Sequence, residues 1–288
     1  MFLSVITPSY NRAHTLKRCY NSLVAQTDND FEWIVVDDGS IDGTKELVDS
    51  FIKENKIHIK YFYKENGGKP SAHNLGVEKA SGKLCVCVDS DDALTSDAVE
   101  KVRLVWANSK NNNVGILAKR GDYVERKPIC ADLPIGVADC KMIELQQRYK
   151  FFGDTALFFR TSVLKEHHFK IFSGEKFVPE DALYSQIDKI GTMILYDRVL
   201  YLCEYLQDGL TAGYKQLLIN NPMGTAYCYY CRIDVSNGLK NKLKNAIISE
   251  AYLKLAGRKA EYNKDKHRFI LAFAKLFSNV YRRKKIGE

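Results

Sequence analysis

Apolar, β-branched runs at residues 3–7, 32–36, 57–63 and 84–88 are separated by stretches in which apolar side chains recur every three or four positions. The runs read as buried strands, and the stretches as amphipathic helices from Leu16 to Ala25, Thr44 to Lys53 and Ser71 to Ala80. Alternating strands and helices predict right-handed crossovers, and hence an α/β fold with a doubly wound, mostly parallel sheet flanked by helices. Ligands of such sheets bind beyond the carboxyl ends of the strands. Four polar clusters fall at those ends: Pro8-Ser9-Tyr10-Asn11-Arg12, Asp37-Asp38-Gly39-Ser40, Asn66-Gly67-Gly68 and Asp89-Ser90-Asp91-Asp92. All four are expected on one edge.

From Asp97 the pattern is less regular. It predicts a helix to Trp106, apolar runs at Val114 to Ala118 and Leu157 to Phe159, and a helix from Glu180 to Ile190. Glu180 and Asp181 occupy the first turn of that helix, where the macrodipole favours acids. Two late strands follow, Met193 to Tyr196 and Val199 to Tyr205, and beyond Gly213 the pattern is helical throughout.

With 45% apolar and 27% charged residues in 288, the chain has an ordinary globular composition. It has no basic n-region with an apolar h-region and no apolar run near the ~20 residues that span a bilayer, so a cytoplasmic location is expected. The eight cysteines are expected to be free thiols. Cys228 and Cys231 have a chelating spacing, but no second close pair completes a zinc site. The charge is uneven: Leu239 to Glu288 holds 14 Lys and Arg against 4 acids, while the first 238 residues are slightly acidic.

Three carboxylates within four residues at a strand end repel one another, and protonation or a bound cation must relieve that repulsion. Hard oxygen ligands suit Mg²⁺ or Mn²⁺ carrying phosphate oxygens. A solvated acidic turn with Asp92 capping the next helix is the plainer alternative. Asp38 has two readings, as an acceptor for a base or ribose and as a cap for the helix near Thr44. Lys69, after two glycines, is available to an anionic ligand, but the spacing of an ATPase phosphate loop is absent.

Together, in this order and spacing, Thr7 to Arg12, Asp37 to Ser40, Asn66 to Gly76 and Asp89 to Asp92 resemble the inverting family-two glycosyltransferases of the GT-A fold, over roughly residues 3–211. The resemblance implies Pro8 and Tyr10 at the base pocket, Asp38 reading a uracil-type base, Asp89 the ribose and Asp91 the metal, Mn²⁺ or Mg²⁺. Arg12, Lys69, His73 and Asn74 join this donor-binding set. Pro179-Glu180-Asp181 resembles the family's acidic pair, which makes Asp181 the catalytic base. Tyr205, Asp208 and Thr211, with Glu180, resemble a late motif closing over donor phosphates or acceptor. One departure is that His73 stands where the family usually has Arg, whose planar fork a neutral His lacks.

The implied activity is metal-dependent, inverting hexosyl transfer from a nucleotide diphosphate sugar, with UDP as the expected nucleotide, to a glycan or lipid-linked acceptor in cell-surface polysaccharide or glycoconjugate assembly. The division expected is a GT-A catalytic domain at 1–212, with a nucleotide-binding half at 1–92 and an acceptor-side half at 93–212. A basic helical region follows at 213–288, with a hinge near Gly238. The rivals are a sugar-nucleotide nucleotidyltransferase, whose glycine- and arginine-rich phosphate loop is not evident, and a non-catalytic nucleotide or polysaccharide binding module. Nucleic acid is not an expected partner, because no readout motif accompanies the basic tail. In that tail Phe269, Phe273, Leu276, Phe277 and Val280 form one apolar stripe ahead of Arg282 to Lys285. The stripe is consistent with peripheral contact to an anionic membrane, with docking on the catalytic domain, or with a homo-oligomer.

Overall fold

The computed structural model describes residues 1–204 and 213–287. In chain order the elements are β1 (Leu3–Ser9), α1 (Leu16–Val24), β2 (Phe31–Asp37), α2 (Thr44–Glu54), β3 (Ile59–Tyr63), α3 (Lys69–Lys79), β4 (Leu84–Cys87) and β5 (Ala93–Leu94). Then follow α4 (Ala98–Trp106), β6 (Asn113–Asp122), β7 (Asp139–Cys140), α5 (Met142–Gln147), β8 (Thr155–Arg160), α6 (Thr161–Glu166), α7 (Asp181–Ile187) and β9 (Thr192–Cys203). The remaining helices are α8 (Tyr214–Asn220), α9 (Pro222–Val235), α10 (Gly238–Leu255) and α11 (Arg268–Tyr281).

The sheet runs β3-β2-β1-β4-β8-β6-β9-β5, with β7 beside β9. The first four strands are mutually parallel, as the alternation of strand and helix requires. Beyond them β8 enters antiparallel between β4 and β6, so the second half is mixed. The two late strands are one, β9, whose pairing with β6 slips opposite Asp197 and Arg198. That irregularity acts as a β-bulge, absorbing the polar pair without ending the strand.

Alternate residues of β1 and β2 face opposite layers. Leu3, Val5, Phe31, Trp33 and Val35 pack with α1, α2 and α4 in the main core. On the other side Ile6 and Val36 meet α3 so closely that a Cβ on Gly76 would lie 2.3 Å from the Ile6 Cγ2. Glu32, on this same side of β2, is fully buried. It accepts hydrogen bonds from the Ser4 and Ser81 hydroxyls and the Ser81 amide, and pairs with Lys60 at 2.6 Å. Burial alone raises its pKa, but these partners outweigh burial and hold it down at about 2.

A carboxylate more acidic folded than unfolded stabilises the fold above its unfolded pKa, and that stabilisation is lost as pH falls to the folded value. Thermal stability should therefore drop between about pH 4.3, the unfolded value, and about 2. Glu32→Gln should flatten that drop while costing roughly 1–3 kcal/mol at neutral pH. Melting curves across this range check it, and an unchanged pH profile in the variant would refute the assignment.

The chain divides into two compact units, residues 1–168 with 190–204, and residues 169–189 with 205–288. This differs from a boundary at 212 because 169–189 makes its apolar contacts with the C-terminal helices. Phe172 lies edge-on to Tyr227 and Tyr262, and Gly224 lets α9 approach the Phe177 carbonyl, 2.5 Å from where a Cβ would stand. The hinge expected near Gly238 is corrected as well. Gly238, at φ +73°, turns the chain between α9 and α10, two helices packed on each other within the second unit. All eight cysteines are free thiols, with Cys228 and Cys231 buried in α9.

Candidate active site

Parallel pairing sets Ser9 of β1 opposite Asp37 of β2, so the loops that follow start side by side. They are tied together by Asn11, whose backbone adopts φ +52°. Its amide N–H donates to the Ser40 hydroxyl, and its side-chain oxygen accepts from the Ile41 N–H, both at 2.9 Å. Tyr10, half exposed, is left free of this bracing.

Asp38 is almost wholly buried. Its carboxylate accepts from Lys64 Nζ at 2.7 Å and from the Gly67 and Gly68 amides at 3.0 and 2.7 Å. It thereby fixes the glycine turn that opens α3. It does not cap the helix that starts at Thr44: the N-cap position is Gly43, and the Thr44 amide donates to Asp42 one residue earlier. Gly68 requires its freedom, at φ +87°, as does Gly39 at φ +85°, where a Cβ would sit 2.8 Å from the Asn66 nitrogen.

The acidic turn leaves β4 and is clamped at both ends. The Val88 amide bonds to the Ile6 carbonyl at 2.9 Å, and β5, just beyond the turn, pairs with β9. Asp89 pairs with Lys69 at 2.7 Å. Burial works to raise its pKa, but Lys69 and Arg120 prevail and hold it below the usual carboxylate range. Asp91 is raised, first by burial and then by the charge of Asp89. Asp92 is pushed up to about 7 by burial and by Asp89, against the opposing hydrogen bond from Tyr201. Arg12 and Lys69 act on Asp91 and His73 on Asp89, so these donor-set residues share one electrostatic neighbourhood. Asn74 lies one residue further along α3, half-buried, and Pro8 is the last residue but one of β1.

Asp92 does not cap the next helix. Its carboxylate accepts from the Tyr201 hydroxyl at 2.7 Å, and Asp97 holds the position before α4. Among the described residues no three His, Cys, Asp or Glu side chains form a metal cage. The turn nonetheless suits a divalent cation of the kind that keeps waters and takes phosphate oxygens. Asp89 and Asp92 are engaged by Lys69 and Tyr201, whereas the Asp91 carboxylate takes no side-chain hydrogen bond among the described residues. It could serve as one hard ligand, beside like charges that a cation would relieve.

Four residues at this edge carry no sequence motif: Arg18, Lys64, Arg120 and Tyr201. The Tyr201 hydroxyl accepts from the Asp89 amide at 3.0 Å while donating to Asp92, so it spans the acidic turn. Arg120 stands opposite Tyr201 in the β6–β9 register, its guanidinium 4.2 Å from the ring centroid. Arg18 donates to the Asp91 carbonyl oxygen at 2.9 Å and pairs with Glu204 at 2.8 Å, lying 4.2 Å over the Tyr123 ring. The β6–β9 alignment brings Arg120 and Tyr201 to the turn, and the end of β9 brings Glu204 to Arg18, whereas Lys64 reaches Asp38 from the end of β3. The apolar run that contains Tyr201 gave no sign of this.

Asp181 belongs to the second unit, as the first residue of α7, with Glu180 immediately before it. Arg232 of α9 holds the Asp181 carboxylate, half of which stays exposed, and Glu180 accepts from the Tyr184 hydroxyl at 3.2 Å. Tyr205, Asp208 and Thr211 lie outside the described residues.

A parallel sheet half, an acidic turn after its fourth strand and a mixed second half define a GT-A fold, and solved structures share it. The Staphylococcus aureus TarS fragment 1–349 in complex with UDP-GlcNAc matches 97% of this chain and 92% of its own, with TM-score 0.60 and 15% identity. The mannosyltransferase PcManGT of Pyrobaculum calidifontis, solved with GDP-Man and Mn²⁺, matches 99% of this chain and 88% of its own, with TM-score 0.58 and 16% identity. At these identities the likeness is one of fold. The model of glycosyl transferase family 2 matches residues 4–168, and the chain belongs to that family. A Bacillus subtilis relative, the putative teichuronic acid biosynthesis glycosyltransferase TuaG, is 38% identical over 100 residues, 34% of this chain and 39% of TuaG. The stretches matched amount to 14% to 39% of the length of such curated relatives. Among the described residues no helix is long and apolar enough to cross a membrane.

Proposed function

We propose that this glycosyltransferase moves a hexosyl group from a UDP-type donor to a hydroxyl of a glycan or lipid-linked acceptor, with inversion, in cell-surface polysaccharide or glycoconjugate assembly. The observation that carries the donor side is the acidic turn, in which Asp91 alone keeps its carboxylate clear of side-chain hydrogen bonds among the described residues. In this reading Pro8 and Tyr10 line the base pocket with Asp38, and Asp89, with Lys69, His73 and Asn74 close by, receives the ribose and phosphates. Asp91 would hold Mn²⁺ or Mg²⁺, which when bound stabilises the charge developing on the departing diphosphate. TarS, solved with UDP-GlcNAc, and PcManGT, solved with Mn²⁺, support the donor and metal classes, and TuaG supports the cell-surface setting.

Asp181 takes the proton of the acceptor hydroxyl as that oxygen attacks the anomeric carbon opposite the leaving group. Arg232 orients its carboxylate, and Glu180, with Tyr205, Asp208 and Thr211, closes over the acceptor or phosphates. A panel of sugar nucleotides tests the reading, with hydrolysis in Mn²⁺ and thermal stabilisation as readouts, because a bound donor shifts unfolding by mass action. One UDP-sugar should be hydrolysed and should stabilise the fold by several degrees. Absence of both effects across the panel overturns the donor assignment, and stabilisation without hydrolysis or transfer would indicate a binding module.

A further inference from the structure

Helix α11 presents three distinct faces. Leu271, Ala274 and Ser278 are buried, the first two packing on Ile233 of α9 and Ala246 of α10. At 3.6 residues per turn, Phe269, Phe273, Leu276, Phe277 and Val280 fall on another side, a stripe about 100° wide. All five are exposed, Phe269 at 78% and Leu276 at 71%. Between the two runs a third row, in which Arg268, Ala272 and Lys275 line a shallow cavity of about 150 Å³ with Lys264, Asp265 and Leu271. The helix ends in a turn that exposes Arg283, Lys284 and Lys285 while Ile286 folds back into the unit. Three large aromatic side chains in one exposed row are not ordinary surface, and such patches mark interaction sites.

Charge selects the partner. From Lys264 to Lys285 the chain carries eight Lys and Arg against one acid, Asp265. A second copy docking through the same stripe would meet it isologously and set these basic segments against each other. A surface that is apolar within and anionic at its boundary complements both rows at once. The helix is 14 residues long and no span is present among the described residues, so it lies on such a surface rather than through it.

We infer that α11 docks this protein on an anionic membrane surface. Its phenylalanine row enters the acyl boundary, and Arg268, Lys275 and the Arg283–Lys285 turn meet the headgroup phosphates. The inference rests on the second unit alone and does not depend on sugar transfer.

The test is co-sedimentation of the full chain with vesicles of phosphatidylcholine and of equal parts phosphatidylcholine and phosphatidylglycerol. Binding should be confined to the anionic vesicles and released at ~1 M salt, where the screening length is ~3 Å. Phe269→Ser/Phe273→Ser/Phe277→Ser should weaken it at least tenfold without shifting the thermal transition. Should that variant fail to fold, Arg283→Gln/Lys284→Gln/Lys285→Gln, altering only exposed ends, serves instead. It should lose roughly 100-fold, at about fivefold for each basic residue near the surface. Equal binding to both vesicle types, or none to either, overturns the inference. So does a concentration-dependent dimer in sedimentation velocity that the phenylalanine variant abolishes and vesicles leave intact, since the stripe would then be covered by a second copy.

Discussion

Asp91→Ala should reduce transfer by roughly 10³-fold or more while the thermal transition stays near that of the parent chain. The magnitude follows from the several kcal/mol that a divalent ion contributes to a developing phosphate charge, at 1.36 kcal/mol per decade of rate. The fold should survive because the Asp91 side chain contributes no hydrogen bond to another described residue. It is the backbone carbonyl that Arg18 holds, and a substitution keeps that carbonyl. Removing a carboxylate whose pKa is raised by burial and by Asp89 also relieves repulsion in the turn. The variant should lose Mn²⁺-dependent stabilisation by donor, and excess chelator should bring the parent chain to the same residual rate. Full activity of either would remove the metal from the mechanism.

Asp181→Asn should lower transfer by at least ~10²-fold, the scale of a positioned general base, with donor affinity within a few-fold of the parent. The amide keeps the shape and can still accept from Arg232, but it cannot take a proton. Measuring donor binding by thermal shift separately from transfer divides the alternatives. A collapse of both would make Asp181 an acid that positions ligand or supports α7, and would move the base elsewhere.

The edge proposed to bind donor was legible as an edge in the sequence because its signals are local. Strand period, helix period and the polar residue at each strand end lie within a few positions of one another, so β1, α1, β2, α2, α3 and β4 appear near their expected places. The four clusters also reach one edge, since parallel pairing follows from the crossovers. What was not legible depends on distant partners. Nothing near Thr155 to Arg160 says that this strand enters antiparallel beside β4, and nothing near Tyr201 says that its hydroxyl will span the acidic turn more than a hundred residues away. Asp38 was expected to meet a base or ribose, yet its two glycine amides and Lys64 come from a loop whose link to it no local signal announces. Likewise the α11 stripe was visible as a period, but only packing decided that Leu271 and Ala274 face inward and the phenylalanines outward.

The placement of two indoles has a practical consequence. Trp33, buried on β2 with its N–H on the Thr7 hydroxyl, and Trp106, at the end of α4, are the only tryptophans, and both belong to the first unit. The second unit, with its packed rings of Phe172, Tyr227, Tyr230 and Tyr262, contains none. Tryptophan emission is therefore a private optical channel for the sheet, blind to events in the helices that carry Asp181 and α11. A nucleotide titration followed at the indole band watches the unit proposed to bind donor. Superposing an indole melt on a far-ultraviolet dichroism melt, which is weighted toward helix, reveals whether the two units unfold as one cooperative body or in succession.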